Sequence, residues 1–267
     1  MSENEELTAK YFLELASTQR LEIIYALFKK QSSISEIAKQ LEATIQEVSR
    51  NFGRLEKTGL IDKQQDRLYS LSTFGKMICM QTPSIGFISK NERYFKEHDF
   101  GNLPLKFIQR IGALNNSNSI NGYSRIIEKW DSIYRESEEY IYNILIDAPY
   151  SIEMMDIIET KLKKNIKIKS IFSENVIVPK DRKKILKKYD FDKYIKNDTL
   201  EKKMTKNTKI SITMNEKQAV VCFPFTNGEI DLSKGFYSSD ENFHQWCLDY
   251  FRYCLFEGKR FREDIIN

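Results

Sequence analysis

From residue 17 to residue 80 the apolar positions recur first at helical spacing and then at strand spacing. Leu21, Ile24, Tyr25 and Phe28 repeat at three and four along Ser17 to Lys30, and Ser17 stands where an N-cap is expected. Ile34, Ile37, Ala38 and Leu41 mark a second, shorter helix behind Ser33 and Ser35. A third starts at Thr44, where Thr-x-x-Glu to Glu47 forms a capping box, and Gly59 fits its stop. On that helix Ile45, Val48, Phe52 and Leu55 fall within about 80° of one another, which predicts that they face a core. Leu60 to Gln64 and Leu68 to Leu71 then read as the arms of a hairpin turning at Gln65-Asp66-Arg67.

Short helix, tight turn, second amphipathic helix and hairpin, in that order, build a winged helix-turn-helix. Such a unit places one helix in a DNA groove. Opposite the apolar stripe of the third helix stand Gln46, Glu47, Arg50, Gly53, Arg54 and Lys57. Arginine and glutamine make bidentate contacts to base edges, and a glycine permits close backbone approach. Gln46, Arg50 and Arg54 are therefore expected at base edges, with Thr44, Ser49, Lys57, Lys63 and Arg67 nearer phosphates. Two-fold pairing would set two such helices one DNA turn apart, so the expected partner is double-stranded DNA with a palindromic operator, bound by a homodimer. Charge opposes a simple version of this reading. Residues 1–80 carry 11 basic and 11 acidic side chains, and phosphate contacts supply most non-specific affinity. The alternative is a protein-interaction module in a transcription or repair assembly, without DNA specificity of its own.

The remainder predicts an α+β chain: a winged helix-turn-helix over 7–80, a helical connecting segment over 81–120 and an α/β effector-sensing and dimerisation domain over 121–267. The polar run Asn115 to Ser119 reads as a loop or hinge. Beyond a helix from Ile126 to Glu138, Tyr140 to Ile146 reads as a buried strand. Ser151 caps a helix to Lys164, and Ile166 to Phe172 is a second strand. Strand, helix, strand over some 30 residues is a βαβ unit with parallel strands, here within a mixed sheet. Lys209 to Met214 and Gln218 to Phe223 are further strands around Asn215-Glu216. Phe243 to Phe256 is apolar nearly all round, and is either central to a core or half of a dimer interface. Ligands of open α/β sheets bind beyond the carboxyl ends of strands. That rule nominates Asp147, Tyr150, Ser151, Ser173 and Glu174 for a small-molecule effector, against the alternative that they are turn and cap residues.

Composition narrows the classes. The 267 residues are 41% hydrophobic, and a formal charge of +4 does not by itself mark a nucleic-acid binder. Residues 161–209, with 17 basic and 6 acidic side chains, stand out locally. They are a solvated helical face, an anionic effector pocket or a supplementary DNA contact. An acidic N-terminus and the lack of long apolar runs predict a cytoplasmic protein with no membrane span. Cys79, Cys222, Cys247 and Cys254 show no metal-ligand spacing and read as buried hydrophobes, so no metal is expected. His98, between Glu97 and Asp99, reads as a helix-end residue. With two histidines, no Gly-x-Ser-x-Gly, no phosphate-cradling glycine loop and no His-Glu-x-x-His, neither enzymatic activity nor a cofactor is expected.

The N-terminal unit resembles the ArsR-like winged-helix regulators of archaea. His98-Asp-Phe-Gly-Asn-Leu-Pro104, followed by Phe107-Ile-Gln-Arg-Ile-Gly-Ala-Leu114, is similar to the archaeal methanogenesis regulatory protein family. Its members place an effector domain after the winged helix, and the resemblance spans roughly residues 10–258. The C-terminal half is also similar to that of TrmB-type sugar-responsive regulators, which is phospholipase-D-like in fold. The catalytic His-x-Lys-x4-Asp of that fold is absent, since neither His98 nor His244 is followed by lysine two residues on. The resemblance thus implies an archaeal transcription regulator with a sensing or dimerising scaffold that has lost hydrolysis.

Overall fold

The computed structural model describes residues 3–147, 151–178, 180, 182–206 and 208–262. The chain forms two compact units, Met1–Pro83 and Ser84–Asn267. Among the described residues no helix is long and apolar enough to cross a membrane.

The N-terminal unit runs α1 (Glu3–Leu15), α2 (Thr18–Lys29), β1 (Ser32–Ser33), α3 (Ile34–Gln40), α4 (Ile45–Lys57), β2 (Ile61–Lys63), β3 (Leu68–Leu71) and α5 (Thr73–Cys79). Its caps follow the sequence. Ser17 accepts from the Arg20 amide, and both Ser33–Glu36 and Thr44–Glu47 close as full capping boxes. α4 ends with Gly59 in the left-handed region at φ 73°, which lets its amide reach Glu56 O and the Leu60 amide reach Leu55 O. The wing turns through Asp66 and Arg67, both at positive φ, and β3 pairs antiparallel with β2 on one side and β1 on the other. Gly75 packs so closely that an added Cβ would lie 1.9 Å from Leu60 O.

Three expectations for this unit change. α1 is a helix where none was expected before Ser17. On α2 the core is met by Ile23, Ile24 and Leu27, while Tyr25 and Phe28 are exposed. Tyr25 instead donates to Thr82 through its hydroxyl. Ile45 is 62% exposed; it is the first helical residue of α4, where the chain has only begun to turn toward the core.

α6 (Thr82–Lys90) begins in the N-terminal unit and continues into the C-terminal one, which contains α7 (Glu92–Phe95), α8 (Leu105–Ile108), β4 (Asn118–Asn121), α9 (Tyr123–Glu136), β5 (Tyr140–Asp147), α10 (Ile152–Lys163), β6 (Lys167–Ile177), α11 (Arg182–Leu186) and α12 (Asp192–Lys196). The C-terminal unit continues with β7 (Leu200–Thr205), β8 (Ser211–Met214), β9 (Ala219–Cys222), β10 (Lys234–Ser238), α13 (Glu241–Glu257) and β11 (Lys259–Arg260). The strands form one mixed sheet in the order β11-β7-β6-β5-β8-β9-β10-β4. β5–α10–β6 is the expected βαβ unit, and β6 pairs parallel with β7 as well.

Both faces of the sheet are covered, which is why its central strands read as near-continuous apolar runs. Ile144, Ile171, Ile212 and Phe223 point to the face packed by α13. Ile141, Leu145, Ile168 and Phe172 point to the face that also buries Tyr134 of α9 and Met155 of α10. α13 buries Phe243, Trp246, Cys247, Tyr250, Phe251 and Cys254 against its own sheet, so its all-round apolarity belongs to the core. Residues 84–120, most of the segment expected to connect the two domains over 81–120, pack into that same core. Phe87, Leu103, Phe107, Ile111 and Leu114 are all buried there, and the Trp246 indole donates to Phe107 O at 3.1 Å. The expected loop at Asn115 to Ser119 becomes, from Asn118, the edge strand β4.

His98 also belongs to this interior. Its Nε2 lies 2.8 Å from Asp231 Oδ2 and its Nδ1 lies 2.9 Å from Tyr94 O, with the Tyr94 ring stacked on it at 3.9 Å. Burial alone would raise the Asp231 carboxyl, but hydrogen bonds from Ser233 and His98 bring it below the usual range. Removing the imidazole leaves a buried carboxylate held, among the described residues, by Ser233 alone, so His98→Ala is expected to cost about 3 kcal/mol in denaturant unfolding near neutral pH. A loss below about 1 kcal/mol would mean the pair is not a support of this core.

Candidate nucleic-acid interface

α4 is oriented by what it buries. Val48, Phe52 and Leu55 are each 1% exposed or less, and the Phe52 ring meets Tyr69 of the wing edge-on at 4.8 Å. Helical geometry then dictates which residues face water. Gln46, Ser49, Arg50, Gly53 and Lys57 are exposed and lie within a band of about 100° on the opposite side. Arg50 makes no ion pair among the described residues. A Cβ added at Gly53 would meet nothing within 4 Å, so the glycine leaves open space in the middle of this face.

The other expected contacts fall into different positions. Thr44 is exposed, but its hydroxyl is engaged with Glu47: it donates to Oε2 at 2.8 Å and accepts from the Glu47 amide at 3.2 Å. Lys63 on β2 and Arg67 in the turn are exposed on the wing. Arg54 is exposed only at the edge of the polar face and is held from behind. Its guanidinium binds Glu14 of α1 through two hydrogen bonds, Nε to Oε2 at 3.1 Å and Nη2 to Oε1 at 2.8 Å. Arg20 backs the same carboxylate, with its Nε 3.7 Å from Oε2 and its Nη2 on Leu13 O. The Asn51 side chain likewise hydrogen-bonds Gln19 of α2. Two polar residues of α4 thus fasten the helix to its own unit. Glu14 was not legible as a partner, because no helix was expected before Ser17.

Of the residues nominated for an effector, the three whose side chains are described, Ser151, Ser173 and Glu174, do not line one cavity. Ser173 is buried and lines an open basin of about 750 Å³ with Asp99, Lys206, Thr208, Lys209 and Thr226. Ser151 caps α10, its hydroxyl accepting from the Met154 amide at 3.0 Å, and it does not line the basin. Glu174 is half-buried on β6 and is not part of it either. The side chain of Asp147 and the whole of Tyr150 lie outside the described residues.

The profile of the family described as bacterial regulatory protein, arsR family, matches residues 17–63. Those residues are an ArsR-type helix-turn-helix. Among solved structures the chain is similar to TrmBL2, an archaeal chromatin protein, at 12% identity over 97% of this chain and 100% of that one, with a TM-score of 0.41. It is similar to NolR from Sinorhizobium fredii at 20% identity, over 33% of this chain and 94% of that one, with a TM-score of 0.30. The phospholipase D family member Nuc from Salmonella typhimurium is 9% identical over 55% of this chain and 100% of that one, with a TM-score of 0.40. No curated protein matches the chain.

The Glu14–Arg54 contact has a pH signature. The hydrogen bond from Arg54, with Coulomb attraction from Arg54 and Arg20, holds the Glu14 carboxyl below its usual value against the opposing effect of burial. A carboxyl lowered on folding stabilises above its unfolded value of about 4 and loses that contribution as pH falls through the folded value. Thermal melts from about pH 7 to pH 3 should show Glu14→Gln less stable than wild type at the neutral end. The two should converge at the acid end. Parallel curves would contradict a folded-state role for the pair.

Proposed function

We propose, with the ArsR-type helix-turn-helix at residues 17–63 as premise, that this chain is a sequence-specific DNA-binding transcription regulator acting as a homodimer in the cytoplasm. The observation that carries the reading is the exposed band of α4, in which Gln46, Arg50 and Gly53 are opposed by the buried side chains of Val48, Phe52 and Leu55. In this reading Arg50 and Gln46 meet base edges in the major groove, where arginine pairs with guanine and glutamine with adenine. Ser49 and Lys57 flank them, and Lys63 and Arg67 bring the wing to phosphate. Arg54, tied to Glu14, orients the helix and adds charge at its edge.

Dimerisation follows from the weakness of one reader. A unit whose basic and acidic residues balance grips phosphate poorly, and two linked half-site contacts add where one is insufficient. The apolar surface available for pairing lies on α1 and α5, which meet through Tyr11 and Phe74 at 4.9 Å. Leu7, Phe12, Leu13, Met77 and Met80 are exposed there, between 48% and 63%. The C-terminal unit serves as an effector-sensing scaffold and not as an enzyme. The balanced charge also favours a second reading, a protein-interaction module, which salt separates: log affinity for DNA should fall with log salt at about −0.9 per phosphate neutralised. Absence of any duplex binding at about 50 mM salt would favour the second reading.

Gly53 and Arg50 separate recognition from stability. Gly53→Ala should raise the unfolding free energy by roughly 0.5–1 kcal/mol, because helical glycine is costly and the added methyl meets nothing. On duplexes selected from a random pool, the same substitution should weaken binding in a mobility-shift titration. Arg50→Ala should cost roughly 1–3 kcal/mol of preference at one base-pair position. If both variants bind and discriminate as the wild type does, α4 is not the reading helix.

A further inference from the structure

The basic stretch 161–209 supplies part of the helical layer on one face of the C-terminal sheet. Ile185 of α11 and Tyr194 of α12 are buried in the same core as Met155 and Leu162 of α10. Just past α11, the Tyr189 hydroxyl donates to Asp156 Oδ1 of α10 at 2.7 Å. Residues 180–196 carry eight basic and three acidic side chains, a net charge of +5. Asp181, Asp190 and Asp192 therefore reduce the charge of this segment without cancelling it.

α11 separates its residues by side. The Lys187 amide donates to Lys183 O at 3.3 Å and the Lys188 amide to Ile185 O at 3.0 Å, so the helical turn runs on past Leu186. At about 100° per residue, Lys183, Lys184, Lys187 and Lys188 share a band of about 140°. Arg182, Ile185, Leu186 and Tyr189 take the opposite side. All four lysines are exposed, whereas Arg182 and Ile185 are buried. Lys183–Lys187 and Lys184–Lys188 are each like charges four residues apart, a spacing that destabilises a helix standing alone. Several exposed lysines elsewhere in this unit have a carboxylate partner, among them Lys96–Glu92 at 2.8 Å, Lys163–Glu159 at 2.9 Å and Lys217–Glu138 at 2.6 Å. Among the described residues the four lysines of α11 have none.

A run of like charges that the protein itself leaves unpaired suits a polyanion. Lysine is a compact charge without the planar fork of arginine, which fits a phosphate chain gripped for its charge and not for its bases. The apolar side of α11 is packed in the core, so it has no apolar side left to bury in lipid. The reader unit, with 11 basic and 11 acidic side chains over residues 1–80, supplies little net attraction to phosphate. We propose that α11 is a second, sequence-independent DNA contact, in which Lys183, Lys184, Lys187 and Lys188 neutralise phosphates of the duplex backbone. This inference rests on the DNA-binding reading above, and adds to it a source for the non-specific part of the affinity.

A salt series of fluorescence-anisotropy titrations tests it on the full chain, with a duplex selected from a random pool and a scrambled duplex. Lys183→Gln, Lys184→Gln, Lys187→Gln and Lys188→Gln, made together, should lower the slope of log affinity against log salt by about 3 on both duplexes. Both should weaken by the same factor, which leaves the preference between them within about twofold of wild type. The thermal midpoint should equal or exceed that of the wild type, since like charges are removed. The corresponding fourfold arginine variant should keep the wild-type slope. A control that loses the same charge elsewhere, through Lys96→Gln, Lys106→Gln, Lys217→Gln and Lys259→Gln, should change the slope by less than about 1. An unchanged slope in the α11 glutamine variant, or an equal drop in the control, overturns the proposal. Binding to phosphatidylserine vesicles that is lost with the α11 lysines, while the DNA slope stays, assigns the surface to lipid and overturns it too. The two readings fail differently. Wild-type protein that prefers the selected duplex, with no slope change in the variant, keeps the reader and removes this contact. Equal binding of both duplexes, with the slope drop, keeps this contact and removes the sequence-specific reader.

Discussion

Burial of Val48, Phe52 and Leu55 is the interaction on which the N-terminal unit turns. Fully removing three such side chains from water is worth on the order of 6 kcal/mol, comparable with the whole stability of a small domain. Because these residues are three and four apart, burying them leaves α4 one rotational setting, and the band from Gln46 to Lys57 is exposed as a consequence. Ties to Glu14 and Gln19 add restraint along the same helix. A reading surface needs this kind of fixed scaffold, since base-edge contacts depend on placement at hydrogen-bond distance.

The C-terminal unit follows the opposite logic. Its sheet is sandwiched, so every central strand must be apolar on both faces, and any polar side chain there is costly unless paired. Thr213, Asn143, Ser170 and Lys202 interrupt that apolar pattern together, in register, on one face. Their alignment across four strands sets them apart from isolated polar substitutions and connects them, through Ser170 and Lys202, to a cavity that Trp130 also lines.

Much of the N-terminal unit was legible in the sequence because local rules decide it: the Thr44–Glu47 capping box, the serine caps, the glycine stop and three of the four stripe residues of α4 appear as read. The misplacements have local causes as well. Ile45 fits the stripe by angle but sits at the helix start, and Tyr25 and Phe28 fit the period of α2 but lose the core to Ile23 and Leu27. β5, α10 and β6 were legible as a long periodic unit. The short strands β4, β7 and β10 were not, since Asn118-Ser-Ile-Asn and Leu200-Glu-Lys-Lys-Met-Thr carry little alternation and depend on partners distant in sequence. The candidate interface could be read from one helix. Glu14 lies 40 residues from Arg54, and the polar row joins residues from four strands, so neither leaves a local signal. The basic stretch 161–209 resolves in part into structural pairs such as Lys169–Glu201 at 2.8 Å.

The central claim is that two copies of α4 read DNA through the major groove. A methylation-protection footprint on a selected duplex tests it most directly, because guanine N7 lies in that groove. Two protected clusters about 10–10.5 base pairs apart, related by a two-fold axis, are the predicted result. Binding that leaves guanine N7 reactive throughout, or a single unrepeated cluster, would contradict it.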